Sequence, residues 1–148
     1  MSSTEFFSDE SIEARINKAE EALDVLKQLT KMTYDEFASN LINVYAAKGA
    51  LLIIAQAIID MANYLIASKD FGVPASREEV MDILESYGVF PENIAKKLIE
   101  LVRIRDRLLH SYSVIGEKAL YEEISSIIEI VEKALSIIQR EIRSLSTQ

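Results

Sequence analysis

The chain holds a single histidine, His110, five residues after Arg105 and two before Tyr112, in the stretch Arg105-Asp106-Arg107-Leu108-Leu109-His110-Ser111-Tyr112. An imidazole titrates near neutrality, so it can both take and give a proton at cellular pH. A guanidinium keeps its charge and presents a fork of donors that suits a phosphate or a developing phosphorane. Together they suggest phosphodiester chemistry that needs no metal. From Lys96 to Tyr112, the cations Lys96, Lys97, Arg103, Arg105 and Arg107 stand against Glu100 and Asp106, an excess of three positive charges in a chain of formal net charge −8. Spacing then constrains the geometry. Residues five apart on a continuous helix diverge by about 140°, whereas neighbours on one face are three or four apart. Asp106 shares the face of His110 and could orient the ring or hold charge on it; Arg105 does not share it. A working Arg105/His110 pair therefore needs the helix to end near His110, or a second copy of the chain to supply the other half.

Other chemistries find little support. No serine is spaced to join His110 in a nucleophilic set, and a Glu-x-x-His metal motif is excluded because Arg107 lies three before His110. The pairs Glu20-Glu21 and Glu122-Glu123 read as solvated faces, so no metal site and no cofactor are expected. Zero cysteines remove disulfides, thiolate nucleophiles and zinc-thiolate sites. With 148 residues, 49% hydrophobic and 27% charged, the chain reads as one globular domain over 1–148. A pI of about 4.7 argues against a general nucleic-acid coat and leaves room for a small basic site. The polar opening, Met1 to Glu10, lacks the pattern of a secretory leader, and a cytoplasmic protein is expected. Abundant isoleucine and glutamate, with few amides and no cysteine, lean toward a heat-tolerant source.

The elements that must position the pair are all helical, with apolar residues recurring at three and four and no extended alternation. A first helix is predicted from about Ser8 to Thr30, burying Ile12, Ile16, Ala19, Leu23 and Leu26. Thr33-Tyr34-Asp35-Glu36 has the form of a capping box and should open the longest helix, to about Ser68. That helix is apolar nearly all round from Val44 to Ala67, which the burial of a central helix explains better than a membrane span; Lys48 and Asp60 interrupt the run. Gln56, Asp60 and Asn63, four and then three apart, form one polar stripe. Either they satisfy one another within the bundle or on a dimer seam, or they line the groove that receives the Arg/His segment. Ser76-Arg77-Glu78-Glu79 starts a short helix ending at Gly88, and Phe90-Pro91 leads into the helix that carries the motif. A last helix, about Glu117 to Ser144, has a heptad seam from Leu120 to Ile142. The expected fold is an all-α, up-down bundle of about five helices with one short cross-member.

In this context the chain resembles the HEPN-domain proteins, and among them the HepT-like toxins that pair with a minimal nucleotidyltransferase antitoxin. Arg105, His110 and Tyr112 match the pattern of arginine, four residues, histidine, one residue, tyrosine. The phrase from Gln56 to Ala67 is similar to the family's core helix, and the order of elements agrees from about residue 10 to 140. The resemblance implies a metal-independent endoribonuclease acting as a homodimer on RNA, with no role for DNA or a membrane. The Arg/His motifs of two subunits would face each other across the dimer cleft. It further implies that His110 moves the proton of a ribose 2′-hydroxyl or of the leaving oxygen, and that Arg105 steadies charge on phosphorus. Tyr112 would be the tyrosine that the nucleotidyltransferase adenylylates. Asp106 and Arg107 would support the site, although the family usually carries asparagine where this chain has Asp106. Two other readings stay open on the residues themselves: a non-catalytic module that binds a nucleotide or docks a nucleotidyltransferase, and a plain helical scaffold.

Overall fold

The computed structural model describes residues 9–110 and 116–145. Those residues form six α-helices and no strand: α1 (Asp9–Leu29), α2 (Tyr34–Ala38), α3 (Leu41–Lys69), α4 (Arg77–Ser86), α5 (Glu92–Leu109) and α6 (Glu117–Leu145). Helix α3 is the hub and packs against all five others. Its near-uniform apolarity follows from that position, since a helix with neighbours on most sides needs no polar face. It is long and apolar enough to cross a membrane, yet 61% of its most apolar window is buried within the bundle.

Contacts along the helices fix their directions. Gln139 meets Glu20 at 3.4 Å and Lys27 meets Glu132 at 3.6 Å, so α1 and α6 are antiparallel. Late α5 residues Arg103 and Arg107 line one cleft with Ala119 and Leu120 at the start of α6, while the earlier Lys97 meets Glu123 at 3.7 Å and borders Ile127, so α5 and α6 are antiparallel. Lys69 and Glu141, both late in their helices, pair at 2.9 Å and make α3 parallel to α6. Helices α1 and α5 thus run one way and α3 and α6 the other, the expected up-down arrangement. The seam of α6 is taken up internally: Leu120, Ile124, Ile127, Val131, Leu135 and Ile138 are all buried.

One departure from the predicted elements lies ahead of α3. The capping box forms at Thr33, whose hydroxyl accepts from the Glu36 amide at 3.2 Å while Glu36 Oε1 accepts from the Thr33 amide at 3.1 Å. The helix it opens is only the five residues of α2. Asn40, in extended backbone, then caps α3 afresh, its Oδ1 accepting from the Ile42 amide at 2.9 Å. Serine and asparagine side chains bond to nearby backbone and so compete with a continuing helix. Tertiary contacts favour the break as well. Phe37 is buried, Tyr34 and Phe37 pack on the Tyr121 ring at 5.6 and 5.3 Å, and the Tyr121 hydroxyl donates to the Met32 carbonyl.

The cross-member α4 is capped by Ser76, whose hydroxyl accepts from the Glu79 amide at 3.1 Å. Gly88 leaves it at φ +76°, a conformation that a side chain would strain, and this lets the Val89 amide return to the Leu84 carbonyl at 2.8 Å. Pro91 stands at the N-cap of α5, one position before the helix proper. Helix α5 turns Ile94, Ala95, Leu98, Leu101 and Val102 to the core, with Leu108 half-buried at its end.

Candidate functional site

Helix α5 ends at Leu109, and His110 leaves it in extended backbone at φ −107°, ψ 110°. Of the two arrangements left open by the spacing, a helix that ends near His110 is the one seen within the chain. The His110 amide donates to the Asp106 carbonyl at 3.0 Å, closing the last turn, while the residue as a whole is exposed. Asp106 therefore touches His110 through backbone; its carboxylate accepts from Arg105 Nη1 at 3.0 Å.

Arg105 is held far more firmly. Its side chain is 12% exposed, and Gln56 Oε1 on α3 accepts from both Nε at 3.1 Å and Nη2 at 2.7 Å. The Gln56 amide nitrogen donates in turn to Asp60 Oδ1 at 2.8 Å. The other oxygen of Asp60 accepts from Arg15 Nε at 3.1 Å, and Arg15 Nη1 donates to the Ser11 carbonyl at 3.1 Å and to the Ser11 hydroxyl. One polar chain thus ties α5 to α3 and α3 to α1, pairing two guanidiniums with two carboxylates. Such partly buried, charge-assisted bonds are among the stronger of their kind. Of the predicted stripe, Gln56 bonds to Arg105 directly, and Asp60 reaches it only through Gln56. Asn63 borders a cavity of about 400 Å³ that Gln56 and Asp60 share with Ser76 and Arg77 of the α4 cap.

Neither Arg15 nor Ser11 was singled out in the sequence. Arg15 lies 45 residues from Asp60, and its only local sign is a place beside Ile16 at the edge of the buried line of α1.

The predicted basic patch is largely neutralised in three dimensions. Lys97 pairs with Glu100 at 3.0 Å and reaches Glu123 of α6; Arg103 pairs with Glu78 of α4 at 3.3 Å; Lys96 pairs with Glu92. The hydrogen bond to Glu100 holds the Lys97 ammonium above the usual lysine value. Glu78, Glu92 and Glu123 all lie outside the segment whose charges were counted, which is why the excess of three does not survive folding. Among the described residues Arg107 makes no ion pair, and it lines an open cleft of about 270 Å³ with Arg103, Ile104 and Leu120. Tyr112 lies outside the described residues. No group of three or more histidine, aspartate or glutamate side chains suited to a metal occurs among the described residues.

A second feature adjoins the polar chain. Leu41, Ile42, Tyr45 and Ile53 are 63, 74, 67 and 45% exposed on the first half of α3. Positions 42, 45, 49, 53, 56, 60 and 63 follow one another by three or four, so this apolar stripe continues along one helix face into Gln56, Asp60 and Asn63.

Comparison with known proteins agrees with this fold. Residues 19–142 match the family model described as Ribonuclease HepT-like. The protein named tRNA nuclease HepT from Aphanizomenon flos-aquae (strain 2012/KM1/D3) is 25% identical over 114 residues, covering 77% of this chain and 78% of its own. Among solved structures, the tri-AMPylated Shewanella oneidensis HEPN toxin, in complex with an MNT antitoxin, superposes with a TM-score of 0.80 at 17% identity. That match covers 87% of this chain and 96% of the toxin. A toxin–antitoxin structure with AMP-PNP gives a TM-score of 0.79 at 16% identity, covering 87% of this chain and 97% of its own.

Proposed function

The chain belongs to the HepT-like ribonuclease family, and from that premise we propose that it is a metal-independent endoribonuclease, the toxin partner of a minimal nucleotidyltransferase. The single observation that carries this reading is the contrast within the motif: Arg105 fixed in place at the end of a helix that releases His110, exposed, into extended backbone. A guanidinium has five N–H donors, and three of those on Arg105 have partners here, leaving two for a phosphate.

The working form in this reading is a homodimer. The exposed stripe of Leu41, Ile42, Tyr45 and Ile53 is the surface a second copy covers, and its continuity with Gln56 brings the two motifs to one cleft. In the reaction one His110 removes the proton from a ribose 2′-hydroxyl, whose oxygen then bonds to phosphorus. The 5′-oxygen of the next nucleotide departs and takes a proton from His110 of the partner subunit. Arg105 steadies the charge on the pentacoordinate phosphorus through its remaining N–H groups, an electrostatic role that is worth most when the donor is already oriented. The products are a 2′,3′-cyclic phosphate and a 5′-hydroxyl. Because a relative is named as a tRNA nuclease, bulk tRNA is the first substrate to offer.

Tyr112, two residues beyond His110, is the proposed acceptor of AMP from the nucleotidyltransferase. Its phenolic oxygen would attack the α-phosphate of ATP and release pyrophosphate. The AMP-modified state of the Shewanella toxin supports that assignment.

The test is cleavage of tRNA by the purified protein and by His110→Ala, each with and without chelator, with the product ends mapped. Cleavage that survives chelator, vanishes in His110→Ala and leaves cyclic phosphates is expected. Cleavage retained in the variant, or lost to chelator, would overturn the mechanism. A second reading, a non-catalytic docking module, is favoured by the Asp106 carboxylate, which already occupies one Arg105 donor. It expects nucleotidyltransferase binding without RNA breakdown.

A further inference from the structure

We propose that Gln56, held by Asp60 and through it by Arg15, is a positioning residue that fixes the orientation of the Arg105 guanidinium and leaves its remaining N–H groups turned to an RNA phosphate. This rests on the nuclease reading for what Arg105 does, though not for how Arg105 is held.

Donor and acceptor types give the chain only one consistent arrangement. Arginine can only donate and an ionised carboxylate can only accept, whereas a glutamine amide does both from opposite ends of a nearly symmetric group. With Arg105 on one side, the Gln56 oxygen must face it, and both Nε and Nη2 donate to that one atom. The Gln56 nitrogen then needs an acceptor, which Asp60 supplies at 2.8 Å. Asp60 is anchored from its other oxygen by Arg15. Inverting the amide would set donor against donor at Arg105 and oxygen against oxygen at Asp60, so the register of α1 on α3 selects the rotamer of a side chain on α5.

The occupied edge matters for chemistry. Nε and one Nη2 hydrogen form the side-on edge of the fork, and Gln56 takes that edge. Asp106 takes one hydrogen of Nη1. What is left is one N–H on each terminal nitrogen, at the end of a side chain too enclosed to reorient freely. A donor fixed before substrate arrives needs no ordering in the transition state.

Two readouts test this on the full-length protein. The first is the Nε–H resonance of Arg105 in ¹⁵N-labelled protein, assigned with Arg105→Lys. It should be resolved and slow to exchange in the wild type and should collapse to free-arginine behaviour in Gln56→Leu. The second is steady-state cleavage of tRNA. Gln56→Leu should lower kcat by about 10- to 100-fold, the scale of a misplaced catalytic group, and leave KM within about twofold. Gln56→Glu keeps an acceptor for Arg105 but sets two carboxylates together at Asp60, and it serves if the leucine variant does not fold. It should preserve the resonance and still lower kcat, because the added charge offsets the guanidinium. An unchanged Nε–H signal in Gln56→Leu, or unchanged kcat in both variants, overturns the proposal. A wild type that cleaves no RNA, but whose signal collapses in Gln56→Leu, refutes the nuclease reading and supports the holding of Arg105.

Discussion

Arg105 and His110 stand five residues apart and live under opposite conditions. The arginine is enclosed, bonded to Gln56 and Asp106, and connected through Asp60 to a third helix. The histidine is exposed at a helix end, where its backbone amide donates to the Asp106 carbonyl. One half of the motif is organised by its own subunit before any partner arrives. In the proposed mechanism the other half is organised by a second copy or by the RNA itself. The exposed apolar stripe on α3, leading into the same polar chain, suggests the second copy.

Substitutions can break that contrast or sharpen it. His110→Ala should have the largest effect on activity, a loss of about 10²- to 10⁴-fold for removal of a general acid–base group, with the melting temperature little changed because the residue is exposed. A clear drop in that temperature would mean that the histidine is not the free half. Arg105→Ala should lower cleavage by a smaller factor, about 10²-fold, and also destabilise the fold by about 1–3 kcal/mol, since Gln56 and Asp106 lose a charged partner in a half-buried setting, as read by urea denaturation. Equal stability of the two alanine variants would erase the distinction between them. Ile42→Glu with Tyr45→Ser should weaken self-association at least tenfold by analytical ultracentrifugation and lower activity at dilute protein, with recovery as concentration rises. Activity independent of concentration in that variant would place the second half of the site within one chain. Arg103→Ala, which removes an exposed pair with Glu78, should change stability by less than about 1 kcal/mol and serves as the baseline for the others.

Much of the fold could be read from local pattern. Helices α1, α4 and α6 begin and end, and α5 begins, within about two residues of where periodicity and capping residues put them, because the signals that set those ends act over one turn. The gap between α2 and α3 was harder. Ser39 and Asn40 carry the breaking chemistry, but the capping box at Thr33 is an equally good local signal, and only the packing of Phe37 and Tyr34 on Tyr121 favours two helices. The site divides in the same way. The spacing of Gln56 and Asp60 on one face was legible, and so was the choice between an α5 that ends near His110 and a second copy that supplies the other half. The arginine that completes the chain was not, since nothing local joins Arg15 to a residue 45 positions later. Charge misled for a related reason: the acids that neutralise Lys96, Lys97 and Arg103 include three from outside the counted segment.

The position of α3 among all the other helices has a consequence for how the molecule opens. Amides near its middle, around residues 50–62, sit where every neighbouring element must separate before water can enter, so they should be the slowest to exchange with deuterium. Gln56 lies within that segment. The Arg105 guanidinium is therefore moored to the part of the protein that comes apart last, and fluctuations that fray the end of α5 would carry the imidazole away long before they loosen the arginine.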